Sequence, residues 1–103
     1  MDISQLQNML SQANSMRETM ESKLAQSVVE ATSGGGAVEV RMNGRKELLK
    51  LTITPAAASA AADDITMLED LIVAAVNEAS RKADALAETS AGDMLGGLGL
   101  PGL

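Results

Sequence analysis

The apolar residues of this chain change their spacing twice, and that change limits the fold more than anything else in the sequence. From Asp2 to about Gln26 they fall at Ile3, Leu6, Leu10, Ala13, Met16, Met20 and Leu24. Steps of three and four mark one face of an α-helix. Asp2 followed by Gln5 resembles a capping box at its start. The stripe is narrow and heptad-like, closer to a coiled-coil seam than to a broad globular face. The period then falls to two in "SVVEATSGGGAVEVRMNGRKELLKLTIT", which is rich in β-branched residues. Strands are expected at about Ser27–Thr32, Ala37–Met42 and Glu47–Thr54, with Ser33-Gly34-Gly35-Gly36 closing one hairpin and Asn43-Gly44 opening the next. Pro55 ends the last strand because it has no N–H to donate, and "AAASAAA" after it suits a short helical turn or an ordered loop. The helical period returns near Asp63-Asp64 and runs to about Thr89, with Leu68, Ile72, Ala75, Val76, Ala79, Ala83 and Leu86 on one face. Thr66 and Glu69 are spaced as a capping box, with acids in the first turn where the helix dipole favours them. The expected fold is α+β: long helix, three-stranded antiparallel sheet, long helix (α-β-β-β-α).

The second hairpin concentrates charge. "RMNGRKELLK" holds Arg41, Arg45, Lys46 and Lys50, half of the 8 basic residues in a chain whose formal charge is −6. A two-residue loop at Asn43-Gly44 would set Arg41 opposite Lys46, a like-charge pair that costs stability. A four-residue loop from Asn43 to Lys46 pairs Val40 with Leu49, Val38 with Leu51 and Glu39 with Lys50, and is the expected register. Such a basic tip has two readings. Charge on hairpins and sheet edges deters edge-to-edge aggregation. Alternatively, Arg and Lys on a two-stranded ribbon can follow a DNA backbone, where phosphate contacts carry most non-specific affinity. The last helix is acidic, with only Arg81 and Lys82 as cations between Asp63 and Glu88. Glu78 and Lys82 are spaced as an i,i+4 ion pair, a structural role for Lys82.

What is missing narrows the chemistry. Zero Cys and zero His remove thiolates, the commonest general base and the commonest metal ligands. Zero aromatics remove stacking platforms for single strands. Asp63-Asp64 and Glu69-Asp70 are explained by helix capping, and the Gly34–Gly36 run lacks the Gly-Lys-Ser/Thr of a phosphate loop. No enzyme, no metal and no cofactor is expected. No apolar run reaches the roughly 18 residues of a membrane span, and the N-terminus lacks the pattern of a secretory signal, so a cytoplasmic location away from membranes is expected. The domain is expected over residues 1–90. The Gly- and Leu-rich stretch "AGDMLGGLGLPGL" over 91–103 is expected to be a flexible tail, with a weak docking role left open.

Length points to a partner. A helix of about 24 residues spans about 36 Å, whereas a strand of about seven spans about 23 Å. Each helix should overhang the sheet with its apolar stripe exposed, the kind of patch that marks an interface. A two-fold homodimer is expected, with Leu10, Met16, Met20, Leu68, Ile72, Ala75 and Ala79 at the interface.

Taken in this order and spacing, "SGGGAVEVRMNGRKELLKLTI", "MLEDLIVAAVNEASRKADAL" and "GGLGLPGL" resemble the YbaB/EbfC family of bacterial nucleoid-associated DNA-binding proteins. The resemblance spans nearly the whole chain. It implies a homodimer whose long helices project like tweezers, binding of duplex DNA with little or modest sequence preference, and a place in the nucleoid. Family genes commonly lie beside recombination and replication functions, so replication or recombination proteins are implied as possible partners. Because helix residues are implicated in the family, Arg17 and Lys23 join Arg41, Arg45, Lys46 and Lys50 as candidate DNA contacts. Thr54-Pro55 stands where the family often has Asp-Pro, and the Ala-rich connector after it is unusually bland. A protein-interaction module, docking a partner through its helical stripes or Leu-rich tail, is the competing reading, and the net charge of −6 favours it.

Overall fold

The computed structural model describes residues 2–97. A first helix, α1 (Ile3–Gln26), leads into three strands, β1 (Val28–Ser33), β2 (Val38–Asn43) and β3 (Leu48–Ile53). A short helix, α2 (Pro55–Ala60), and a long one, α3 (Ile65–Gly97), complete the chain. The strands form one antiparallel sheet in the order β1-β2-β3. The α+β order expected from the periodicity is therefore present, with each strand one residue from its expected start.

The caps follow local chemistry. Asp2 accepts a hydrogen bond from the Gln5 amide at 2.8 Å, which satisfies one of the free N–H groups that open α1. Thr54 does the same for α2, accepting from the Ala57 amide at 3.2 Å, with Pro55 at the first helical position. At α3 the cap is Asp64, which accepts from the Met67 amide at 3.1 Å. The Thr66–Glu69 capping box is thus not used, because the helix begins at Ile65 and both residues already lie inside it. Helix α3 also continues past Thr89 to Gly97, so residues 91–97 prolong the helix. The rest of the expected tail, residues 98–103, lies outside the described residues.

One face of the sheet is the core. Ala31, Val38, Val40 and Met42 pack against Ala75, Ala79 and Ala83 of α3. The alanines recur every four residues, so a single smooth stripe lets the helix axis approach the sheet closely. Ala75 and Ala79 have no exposed surface. They belong to the subunit's own core and are not available as the interface residues expected from sequence. Helix α3 lies across β1 and β2 and leaves β3 largely uncovered. Hence Leu48 and Leu51 stay 49% and 41% exposed although their strand neighbours Met42 and Val40 are buried. The Ser33 hydroxyl donates to the Leu71 carbonyl at 2.6 Å and ties the first turn to the start of α3.

The register of the second hairpin differs from the expected one. Val38 pairs with Ile53, Val40 with Leu51 and Arg41 with Lys50, two residues beyond the anticipated partners. Past Arg41 the pairing shifts to Met42 with Leu48, so Leu49 is the extra residue of a β-bulge. Two devices stabilise this arrangement. Lys46 takes a left-handed backbone, φ 65°, which closes a tight three-residue loop. Glu30 of β1 stands opposite Arg41 and pairs with it at 3.1 Å, which offsets the like-charge contact with Lys50.

The molecule measures 69 × 25 × 18 Å. The 24 residues of α1 and the 33 of α3 correspond to about 36 and 50 Å, against about 20 Å for a six-residue strand. The helices extend beyond the sheet, as expected. Ile3, Leu6, Met9 and Leu10 of α1 are 49–74% exposed.

Candidate nucleic-acid interface

The tip of the second hairpin is organised by one buried side chain. Asn43 is 4% exposed. Its Oδ1 accepts from the amides of Arg45 and Glu47, both at 3.0 Å, and its Nδ2 donates to Glu47 Oε1 at 2.9 Å. The Lys46 amide donates to the Asn43 carbonyl at 3.0 Å. A turn whose donors are satisfied from within holds its own shape.

Gly44 docks this tip on the end of α1. Its amide donates to the Leu24 carbonyl at 2.8 Å and to the Ser27 carbonyl at 3.1 Å. A Cβ there would stand 2.9 Å from the Leu24 carbonyl oxygen. The glycine is therefore needed for close approach. It does not supply the positive φ that an Asn-Gly hairpin signal suggests; Lys46 does.

The six candidate cations divide by position and by pairing. Arg45 and Lys46 occupy the loop itself, and Arg41 and Lys50 stand opposite each other on the outer face of the sheet just behind it. Lys23 sits in the last turn of α1, next to the Leu24 on which the tip rests. Arg17 lies six residues earlier, about 9 Å along the axis and roughly 240° around it, so the fold does not bring it to the same face as Lys23. Lys46 Nζ meets Asp84 of α3 at 3.1 Å, and Arg41 Nε meets Glu30 at 3.1 Å. Among the described residues Arg17, Lys23, Arg45 and Lys50 make no ion pair.

The remaining cations serve α3. Arg81 pairs with Glu78 at 2.6 Å, three residues back. That hydrogen bond and the guanidinium charge hold the Glu78 carboxyl below its ordinary range. The Glu78–Lys82 pair expected from spacing is not formed. Lys82 Nζ instead reaches the Glu30 carbonyl at 2.7 Å and ties α3 to β1. Glu30 and Asp84 were not singled out by sequence, and Asn43 was read as a turn residue without its buried, loop-organising side chain. Glu30 could have been found by reading the first hairpin's register, which sets it against Arg41. Asp84 lies 38 residues from Lys46, with no local signal linking them.

Two clefts accompany this arrangement. One, about 540 Å³, lies at the opposite end of the sheet between Gly34–Gly36, α2 and the start of α3. The other is a shallow hollow of about 530 Å³ along α1, lined by Ser15, Glu18, Thr19, Ser22, Lys23 and Gln26. Neither gathers groups suited to chemistry: the first is mostly apolar, and the second is open. Among the described residues no three Asp or Glu side chains are grouped to hold a metal ion, and no helix is long and apolar enough to cross a membrane.

The fold and the tip together define a helix–three-strand–helix protein that presents its cations on a hairpin seated between two long helices. The chain belongs to the YbaB/EbfC DNA-binding family, whose model matches residues 1–98. A nucleoid-associated protein of Acidobacterium capsulatum is 61% identical over 99 residues, covering 93% of this chain and 92% of that one. A nucleoid-associated protein of Koribacter versatilis is 45% identical over 97 residues, covering 94% of each chain. The crystal structure of an uncharacterized Helicobacter pylori protein superposes with a TM-score of 0.77 at 27% identity, covering 92% of this chain and 98% of that one.

Proposed function

We propose that this protein binds duplex DNA in the bacterial nucleoid as a homodimer, chiefly through phosphate contacts and with little sequence preference. The observation that carries this reading is the seating of the hairpin tip on α1, which gathers Lys23, Arg45, Lys46, Arg41 and Lys50 at one end of the sheet. Side chains on a loop and an outer sheet face suit a phosphate backbone, which needs charge without base-edge geometry. Of the acids of α3, Asp84 stays beside the tip through its pair with Lys46, whereas Glu69 and Asp70 lie toward the other end of the sheet, where Ser33 meets Leu71.

The dimer is supported by apolar surface that the subunit leaves uncovered. Leu48, Leu49 and Leu51 on β3 and Val73 on α3 are each 41–58% exposed. Leu68 and Ile72 on α3 and Met16 and Met20 on α1 are half-buried, and each adds apolar area that a second copy can cover. Two tips in one dimer would double the phosphate contacts. The exposed first turns of α1, with Ile3, Leu6, Met9 and Leu10, favour a second reading: a surface that docks a replication or recombination protein.

A fluorescence-anisotropy titration with a random-sequence duplex at two salt concentrations tests the first reading, with light scattering on the free protein. Binding should weaken steeply with salt, by a slope of about 0.9 per phosphate neutralised, and the free protein should scatter as two chains. Affinity that does not move with salt, or a stable single chain at micromolar concentration, would overturn it.

A further inference from the structure

We propose that Glu30 and Asp84 act as internal stand-ins for phosphate, holding two of the hairpin's cations in the free protein and so setting how tightly it grips DNA. The inference rests on the DNA-binding reading. It adds two acidic residues, on β1 and α3, that lower affinity.

The cations of the hairpin are of two kinds. Arg45 and Lys50 make no ion pair among the described residues. Arg41 is held by Glu30, its cross-strand neighbour. Lys46 is held by both oxygens of Asp84, at 3.1 and 3.3 Å. The partners come from separate elements, so this is a property of the assembled fold.

Both pairs are open to exchange. The side chains of Arg41 and Glu30 are 47% and 56% exposed, and those of Lys46 and Asp84 are 48% and 58% exposed. Exposed pairs are marginal in water, and a phosphate oxygen competes for the same donors with the same charge. A displaced carboxylate stays within the roughly 10 Å over which charges still act at 0.1 M salt, so it continues to oppose the phosphate.

Neither acid takes part in the hydrogen bonds that shape the loop. Asn43 satisfies the loop amides, and Gly44 seats the loop on α1 without them. The backbone adds a further sign. Lys46 is the only non-glycine with positive φ among the described residues. Glycine would sit there without strain, so the position keeps a cation at a conformational cost and then ties it to a carboxylate. At Arg41 the row Glu30–Arg41–Lys50 sets two cations side by side with one acid at the end. A phosphate bridging Arg41 and Lys50 would take over what Glu30 does in the free protein.

The test compares Glu30→Gln, Asp84→Asn and the control Glu69→Gln by anisotropy with a random-sequence duplex over a salt series. Glu69 makes no ion pair among the described residues and lies 15 positions before Asp84 on α3, about 22 Å away. All three substitutions are near-isosteric on exposed residues and remove the same charge. Glu30→Gln and Asp84→Asn should each tighten binding about three- to tenfold at low salt and steepen the salt slope by up to about one per subunit, while Glu69→Gln changes little. Equal tightening by the control would mean that net charge alone acts and would overturn the proposal. Unchanged or weakened binding by Glu30→Gln and Asp84→Asn, with the native protein binding normally, would overturn it alone. No binding by the native protein at low salt would remove the DNA-binding reading and this inference together.

Discussion

The two hairpin turns of this sheet solve the same problem in opposite ways. At one end Gly34, Gly35 and Gly36 all adopt positive φ, from 61° to 96°. The turn is built from backbone freedom, carries no charge and rests against Leu71 at the start of α3. At the other end the single positive φ falls on a lysine, the turn is organised by the buried Asn43, and its glycine serves a close approach to α1. The first turn needs nothing beyond a reversal of the chain. The second accepts strain and buries a polar side chain in order to place cations at a defined spot. Strain held by surrounding structure suits the segment on which the proposed DNA binding depends.

The contrast breaks most severely at Gly44. A Cβ there meets the backbone of Leu24, which cannot swing aside. Gly44→Ala should lower stability by about 3 kcal/mol in a urea titration and weaken DNA binding as the tip lifts from α1. An unchanged midpoint would mean that the tip is not seated there. Asn43→Ala comes next. It removes three side-chain hydrogen bonds and leaves two amides of the loop unpaired, at about 2 kcal/mol. Faster amide exchange at Arg45 and Glu47 would report it, and native protection there would refute the role given to Asn43.

Gly35→Ala probes the quiet turn. Its Cβ would meet nothing within 4 Å, so only the left-handed backbone opposes it. A loss of about 1 kcal/mol with DNA affinity untouched is expected; a fall in affinity would show that this end of the sheet also meets DNA. Lys46→Gly is the smallest effect and the sharpest separation. Stability should rise by about 0.5 kcal/mol as strain is relieved, while the salt slope for DNA falls by about one per subunit. Loss of stability would show that the Asp84 pair outweighs the strain.

These particulars show how much could be read in advance. The helix of α1, its Asp2–Gln5 cap, the three strands and both turns follow from period, capping residues and turn residues, all of which act over a few positions. The family resemblance rested on the same local segments. The register of β2 and β3 was misread because the rule applied to it, avoiding Arg41 beside a lysine, considered one pair of strands. Glu30 on β1, outside that pair, offsets the repulsion, and a bulge at Leu49 absorbs the odd residue. Ala75 and Ala79 were assigned to a second subunit because a small-residue stripe looks the same whether it faces a sheet or another helix.

The amino-acid order by itself therefore determined the succession of elements, where each strand begins and the gathering of positive charge on one hairpin. Each of these depends on neighbours within a turn or two of the chain, where spacing and side-chain type suffice. Only the tertiary structure decided which strand residues face one another, why Gly44 is a glycine, where the left-handed residue falls, and which cations are already held by Glu30 and Asp84. Those outcomes are settled by contacts between segments tens of residues apart, and distance along a sequence holds no record of distance in space.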